Sequence, residues 1–284
     1  MTPVVAVIAP GMMGAAVGKR LVDNGVKVLT SLKGRSSETA ARAKAAGMTT
    51  ASDEEIAATD FILSILPPGD AVTLAERFVP ALKASNGKSV YVDCNAINPG
   101  TVDRVAAAIT PTDCPFVDSG IIGSPPKPGD AGPRFYASGP DAPRFATLRQ
   151  YGLDVRVLDG EMSAASALKM SYAGITKGTQ AIGAAMMLAA SRAGSADALF
   201  AELSSSQKEM FAWFKRGLAL MPPKAYRWIA EMQEIAGFVG DDPAASELYQ
   251  GAAHFYERIA EDFETNKKDV AALAAFLNKG PPSN

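Results

Sequence analysis

The sequence predicts an α/β domain with a doubly wound, mostly parallel sheet, followed by an all-α domain, the two joined by a long helix. Three observations carry the prediction. Up to about residue 160, short apolar runs alternate with amphipathic stretches, as in successive βαβ units. From Glu161 to about Ala193 there is no strand signal and no proline. Helical periodicity then dominates to Asn278, broken by turns near Gly194, Pro222-Pro223 and Gly240–Pro243. The expected domains are residues 1–160 and 161–284.

Each element follows from local chemistry. Val4–Ile8 is an unbroken apolar run and reads as a buried strand; Met12–Asn24 reads as a helix ended by Gly25. Val26–Thr30 is the next strand. Ser36 caps a helix that runs to Ala46, with Gly47 as its stop. Ser52 and Glu55 have the spacing of a capping box before a short helix. Phe61–Leu66 is a strand stopped by Pro67-Pro68. Val90–Cys94 follows an Asn86-Gly87 turn, and Asn98-Pro99 supplies an N-cap and a first helical residue. Phe116–Val117, Phe135–Ala137 and Val155–Val157 are three shorter strands. Trp228, Met232 and Ile235 recur at helical spacing as a core stripe. The tail Gly280–Asn284 is expected to fray.

Composition narrows the function classes. With 284 residues, 48% of them hydrophobic and 20% charged, the chain has the material for a sizeable core. A formal net charge of −2, without a basic stripe, argues against nucleic acid as a partner. Cys94 and Cys114 are too few for a disulfide framework or a cysteine-rich metal site. They read as buried thiols of a reducing compartment. His254 is the only histidine, so a histidine metal cluster is not available, and it reads as a core or interface residue. Ala181–Ala190 is too short and too interrupted to span a bilayer. The expectation is a soluble cytoplasmic protein with no metal, no membrane and no nucleic acid partner.

Directly after the first strand comes "IAPGMMG". A G-x-G-x-x-G phosphate turn uses its first glycine for a tight turn. The second lets a pyrophosphate approach the backbone, and the third lets helix and strand pack closely. Ala9 stands at the first place, and Gly11 and Gly14 at the other two, with Pro10, Met12 and Met13 between them. The strand before and the helix after are the setting this turn requires. A dinucleotide's pyrophosphate would rest on the N–H groups that open the helix. The first domain is therefore expected to be of the Rossmann type. At the end of the second strand, an NAD site has Asp or Glu for the ribose hydroxyls. This chain reads "VLTSLKGRSSE" there. Ser31 and Ser36 offer hydroxyls, and Arg35 either stacks on adenine or pairs with a 2′-phosphate. NADP is expected in preference to NAD. The plainer reading of Arg35 is a solvated loop residue.

Five further segments extend the pattern: "SILPP", "VDCNAINPG", "FVDSGIIGS", "GEMSAASALKMSYA" and "MPPKAYRWIAEMQEIAG". With the glycine turn, they resemble the β-hydroxyacid dehydrogenase superfamily. This is the group of 3-hydroxyisobutyrate, tartronate semialdehyde and 6-phosphogluconate dehydrogenases, with imine reductases as relatives. "SILPP" is similar to the strand end and loop that flank the nicotinamide ribose, which implies Leu66 and Pro67 at the cofactor. "VDCNAINPG" resembles a D-x-S-T-x-x-P segment and implies Asn95 beside the nicotinamide end, in place of a serine. "FVDSGIIGS" resembles the substrate-loop motif D-x-P-V-S-G-G, which implies substrate contacts from Ser119, Gly120, Ile122, Gly123 and Ser124. "GEMSAASALKMSYA" resembles the interdomain-helix motif G-x-x-G-x-G-x-x-x-K-x-x-x-N. "MPPKAYRWIAEMQEIAG" resembles a branch whose C-terminal domain, of unknown function, is related to that of 6-phosphogluconate dehydrogenase. The resemblance implies hydride transfer with a nicotinamide cofactor, a small-molecule substrate and a homodimer formed through the helical domain.

Lys169 lies in a helix of small residues, with Ser166, Tyr172, Ala173 and Thr176 on its face. Burying a lysine there is costly without a partner or a task. A partly desolvated amine also exchanges its proton nearer neutral pH. The residues alone leave a snorkelling surface lysine open; the resemblance implies the catalytic general acid/base. The motif's asparagine is Ala173 here, and Tyr172 either offers a hydroxyl in its place or simply packs. The motif's loop serine is Ile122, which makes the pocket more apolar. A ketone or imine substrate therefore stays open beside a carboxylate one. A catalytically silent dinucleotide-binding sensor is the reading from another class.

Overall fold

The computed structural model describes residues 2–85 and 89–279. It divides into two compact units, Met1–Met170 and Ser171–Asn284. The Asn86-Gly87 turn and the tail 280–284 lie outside the described residues.

The first unit alternates strand and helix. In order come β1 (Val4–Ile8), α1 (Met12–Asp23), β2 (Lys27–Thr30), α2 (Ser37–Ala45), β3 (Thr49–Thr50) and α3 (Asp53–Ala57). Then follow β4 (Phe61–Ser64), α4 (Ala71–Ala84), β5 (Val90–Asp93), α5 (Pro99–Ile109), β6 (Phe116–Ile122) and β7 (Arg134–Ser138). The short α6 (Ala142–Phe145) and β8 (Asp154–Val157) complete the sheet, and α7 (Ala164–Ala173) carries the boundary into the second unit. The eight strands lie in the order β3-β2-β1-β4-β5-β6-β7-β8. Every pairing is parallel except β6 with β7. The strand order reverses between β1 and β4, and in such sheets the crevice for a ligand opens beyond the carboxyl ends at that point.

Both faces of the sheet are covered, which is why its central strands are unbroken apolar runs. Val5, Val7, Leu63, Val92 and Val117 face a layer formed with α1, α2 and α6. Ala6, Ile8, Ile62, Tyr91 and Phe116 face the opposite layer, with α3, α4 and α5. The expected caps are in place. Ser36 accepts from the Thr39 N–H at 3.3 Å. Ser52 and Glu55 close both halves of their capping box, at 3.2 and 2.8 Å. Asn98 accepts from the Thr101 N–H at 3.0 Å.

Two strands differ from expectation. β6 continues five residues past Val117, through Asp118, Ser119 and Gly120, which break the apolar pattern. Tertiary partners described below satisfy Asp118 and cover Gly120. β3 is an exposed edge strand of two threonines, too short to leave a pattern. Cys94 and Cys114 are buried free thiols, as expected.

The second unit is helical throughout. A π turn over Gly174–Gly178 leads into α8 (Thr179–Arg192), followed by α9 (Ala196–Ser206), α10 (Lys208–Leu218), α11 (Ala225–Phe238), α12 (Pro243–Glu264) and α13 (Lys268–Leu277). Tyr249 packs on the π turn, and a Cβ at Gly174 would come within 2.9 Å of its hydroxyl. Phe200, Phe211 and Phe276 meet edge to face, with centroids 5.2 to 6.2 Å apart. Met232 and Ile235 are buried, as the helical stripe requires, and Trp228 meets Tyr256 edge to face at 5.1 Å. Lys177 pairs with the buried Glu231 and lies 5.1 Å above the Trp228 ring. The breaks at Gln207 and near Lys267 carry no proline or glycine and left no signal. His254 is exposed on α12, not buried in the core. Among the described residues, no helix is long and apolar enough to cross a membrane.

Candidate functional site

The turn between β1 and α1 is held from three sides. The Ala9 N–H donates to the Ile65 carbonyl at 3.2 Å, which ties the turn to the end of β4. The Gly11 N–H donates back to the Ala9 carbonyl at 2.9 Å. Pro10 is buried, and its carbonyl accepts from Arg42 Nε at 3.4 Å. The two glycines do different work. A Cβ at Gly14 would drive into the Ala9 carbonyl, so α1 lies on the turn only because Gly14 has no side chain. A Cβ at Gly11 would meet nothing within 4 Å, and the Gly11 backbone is extended, at φ −67° and ψ −168°. Its smallness therefore keeps space open outside the protein. Gly11 is the N-cap of α1 and brings no side chain to it, so the opening turn of the helix lies beside that space. Met13 is half-buried and Met12 is exposed. Donors and open surface together fit a pyrophosphate.

Beyond β2 lies a cavity of about 350 Å³, lined by Ser31, Lys33, Ser52, Asp53 and Arg77 among others. Arg77 reaches it from α4. Its Nε donates to Asp53 Oδ2 at 2.9 Å, and its Nη2 to Ser31 Oγ at 2.7 Å and to the other Asp53 oxygen. The strand sequence contains no acid here, but the fold brings in Asp53 and Glu54. Arg35 is exposed and does not line the cavity, and the Ser36 hydroxyl is engaged in capping α2.

At the other end of the crevice, Asn95 is buried and its amide is engaged inside the protein. Oδ1 accepts from the Leu66 N–H at 2.5 Å; Nδ2 donates to Ser64 Oγ at 2.8 Å and to Asp93 Oδ2 at 2.9 Å. Asn95 thus braces the loop that carries Leu66 and the exposed Pro67.

The carboxyl half of β6 sorts its residues by strand alternation. Asp118 and Gly120 face α7. The Asp118 carboxylate accepts from the Ser166 N–H at 2.8 Å and from Ser166 Oγ at 2.6 Å. Ser138, its register partner on β7, accepts from the Ala165 N–H at 2.9 Å and donates to the Met162 carbonyl at 2.7 Å. The first N–H groups of α7 are thereby satisfied by two side chains of the sheet. Two residues on, a Cβ at Gly120 would lie 2.8 Å from the Ala165 carbonyl oxygen and 2.9 Å from Lys169 Cβ. Gly120 is bare where the stem of Lys169 crosses the strand. Ile122 shares this parity and is buried at the end of β6, while Gly123 and Ser124 are exposed in the loop beyond. Ser119 points the other way. It is completely buried on the Cys94 side of the sheet, which removes it from the residues expected around a substrate.

Asp93 and Asp118 are register partners, fully buried side by side. Burial pushes Asp93 up to about 7, helped by the charge of Asp118 and opposed by the hydrogen bonds from Asn95. Burial likewise pushes Asp118 up to about 6, against the bonds from Ser166 and Ser138. Burial and Asp93 push the Cys94 thiol well above its usual range.

The family of NAD-binding domains of 6-phosphogluconate dehydrogenase matches residues 4–150. The chain belongs to the β-hydroxyacid dehydrogenase superfamily. A domain of unknown function (DUF1932) matches residues 190–259 of this dehydrogenase-like chain. Among solved structures, it is similar to a conserved protein of unknown function that itself resembles 3-hydroxyacid dehydrogenases. The two are 30% identical with a TM-score of 0.68, and the match covers 92% of this chain and 97% of the other. It also shares its fold with the 3-hydroxyisobutyrate dehydrogenase of Mycobacterium tuberculosis, solved with L-serine, at 20% identity and a TM-score of 0.68 over 97% and 99% of the two chains. The imine reductase of Myxococcus stipitatus, solved with NADP+, is similar at 16% identity and a TM-score of 0.56 over 97% and 100%. A variant of that enzyme holds NAD+. The first unit of this superfamily member is therefore a nicotinamide-dinucleotide-binding domain.

Sequence reasoning singled out the glycine turn and Lys169. Asp118, Ser138, Asp53 and Arg77, which the structure brings to the site, are not legible there. Their partners lie far along the chain, so no local spacing announces them.

Proposed function

We propose that the protein is an NADP-dependent oxidoreductase that moves a hydride between nicotinamide and a hydroxyl or carbonyl carbon of a small substrate, with Lys169 as general acid/base. The observation that carries this reading is the packing of the Lys169 stem on Gly120, with α7 held to the sheet by Asp118 and Ser138. The lysine and the glycine turn belong to one compact unit. Nicotinamide, when bound, supplies the hydride acceptor or donor at its C4. Gly11 and the opening N–H groups of α1 hold the pyrophosphate, while Ser31 and Lys33 face the adenosine end. The loop carrying Leu66 and Pro67, braced by Asn95, borders the nicotinamide ribose. In oxidation, Lys169 takes the hydroxyl proton; in reduction, it returns a proton to the forming alkoxide. Tyr172 follows Lys169 by three residues on α7 and is 49% exposed, which supports it as a second hydroxyl donor.

Ile122, standing where the resemblance places a serine, favours an apolar substrate body. An uncharged ketone or imine is therefore the second reading, beside a 3-hydroxy acid. The apolar side chains of Ile175, Ile182 and Met186 are exposed on the helical unit at seven- and four-residue spacing. They support a homodimer through that unit. The buried free thiols support a cytoplasmic location. Calorimetric titration with NADPH and NADH tests the cofactor assignment. Tighter binding of NADPH is expected; tight NADH binding with none for NADPH would sink it.

A further inference from the structure

The cavity beyond β2 holds a guanidinium whose geometry is already set. Arg77 is gripped along one edge by Asp53, through Nε and Nη2, and its Nη2 also reaches Ser31. Its other terminal nitrogen, Nη1, makes no hydrogen bond among the described residues. Both partners of the pair keep part of their surface, 26% for Arg77 and 21% for Asp53. A guanidinium fixed on one edge presents its remaining N–H groups in a rigid plane, which suits a planar or tetrahedral oxyanion. Lys33 lines the same cavity and adds a second cation, beside the carboxylate of Glu54. The exposed Arg35 has no such setting.

We propose that Arg77 is the residue that reads the ribose 2′ position, binding the 2′-phosphate of NADP with Ser31 and Lys33 while Asp53 holds the guanidinium in place. The assignment rests on the reading of the protein as NADP-dependent. It moves specificity from the β2 loop to α4, where a lone arginine on a helix gives no local sign of the role.

The test titrates the full chain calorimetrically with adenosine 2′,5′-bisphosphate and adenosine 5′-monophosphate, which probe the adenosine half without turnover. Wild type is expected to prefer the bisphosphate. Arg77→Ala is expected to weaken the bisphosphate about tenfold or more, and to leave the monophosphate within about twofold. Arg77→Gln keeps the polar stem without the charge, guards against a folding fault, and is expected to show the same loss. Arg35→Ala is expected to change neither ligand. Retained preference in both Arg77 variants, or its loss in Arg35→Ala, would overturn the Arg77 assignment and leave the NADP reading standing. A wild type that binds both ligands equally would overturn the NADP reading and this inference with it.

Discussion

Asp118 accepts two hydrogen bonds from Ser166, from its backbone N–H at 2.8 Å and its hydroxyl at 2.6 Å, and so fixes the start of α7 on β6. A carboxylate at the opening of a helix satisfies orphan N–H groups and complements the helix dipole. Lys169 lies three residues beyond Ser166, so the same bonds determine where its stem begins.

Ser166→Ala removes the hydroxyl bond and keeps the backbone one. The loss expected is about 1–3 kcal/mol of unfolding free energy, because a buried carboxylate oxygen is left without its donor. Urea unfolding checks this, with a lowered midpoint and an unchanged slope.

Gly11 and Gly14 are expected to separate fold from binding. Gly11→Ala should cost about 1 kcal/mol or less, the preference for glycine over alanine at an N-cap, since its Cβ meets no protein atom. It should nonetheless abolish dinucleotide binding, because the methyl group would fill the space left for the pyrophosphate. Gly14→Ala should cost about 3 kcal/mol by forcing α1 off the Ala9 carbonyl. Thermal melts and NADPH titrations of both variants check the contrast.

Gly120→Ala places a methyl group against Ala165 and Lys169. A loss of about 1–3 kcal/mol is expected from overpacking. Turnover should fall further than NADPH affinity, because the displaced group is Lys169 and not the glycine turn. Steady-state kinetics beside a binding titration separates the two effects.

How far these relations were legible in the sequence depends on their range. The capping box of Ser52 and Glu55, the Asn98 cap and the apolar strand Val4–Ile8 are settled by neighbours in the chain, and all three stand as read. The apolar pattern of β6 stops at Val117, because Asp118, Ser119 and Gly120 interrupt it. Asp118 is buried with Ser166 and Ser138 satisfying it, and Gly120 is buried because α7 passes Lys169 directly over it. The β2 segment by itself shows only part of the cavity beyond it. Asp53 enters it from the start of α3 and Arg77 from within α4, and no periodicity encodes that meeting.

Stability should depend on pH through the buried pair. Asp93 and Asp118 are held at about 7 and about 6 in the folded chain, against about 3.9 when unfolded. Between these values the folded chain binds protons that the unfolded chain has released, so this contribution falls as pH rises. It is fully present below about pH 4 and lost above about pH 7. Unfolding free energies across this window are expected to slope downward with pH, and less steeply in Asp93→Asn.

The exposed stripe of Ile175, Ile182 and Met186 is expected to be the dimer contact. Sedimentation should give a dimer for wild type and a monomer for Ile182→Asp, with the helical signal of the folded chain retained. A wild-type monomer would remove the proposal.

Nicotinamide absorbance, followed with NADPH and NADP+ over a panel of 3-hydroxy acids, aldehydes, ketones and cyclic imines, puts the central claim at risk most directly. Wild type is expected to turn over at least one member, and Lys169→Ala to do so about a hundredfold more slowly or worse. Silence of the wild type across the panel, or equal turnover by Lys169→Ala, would contradict it.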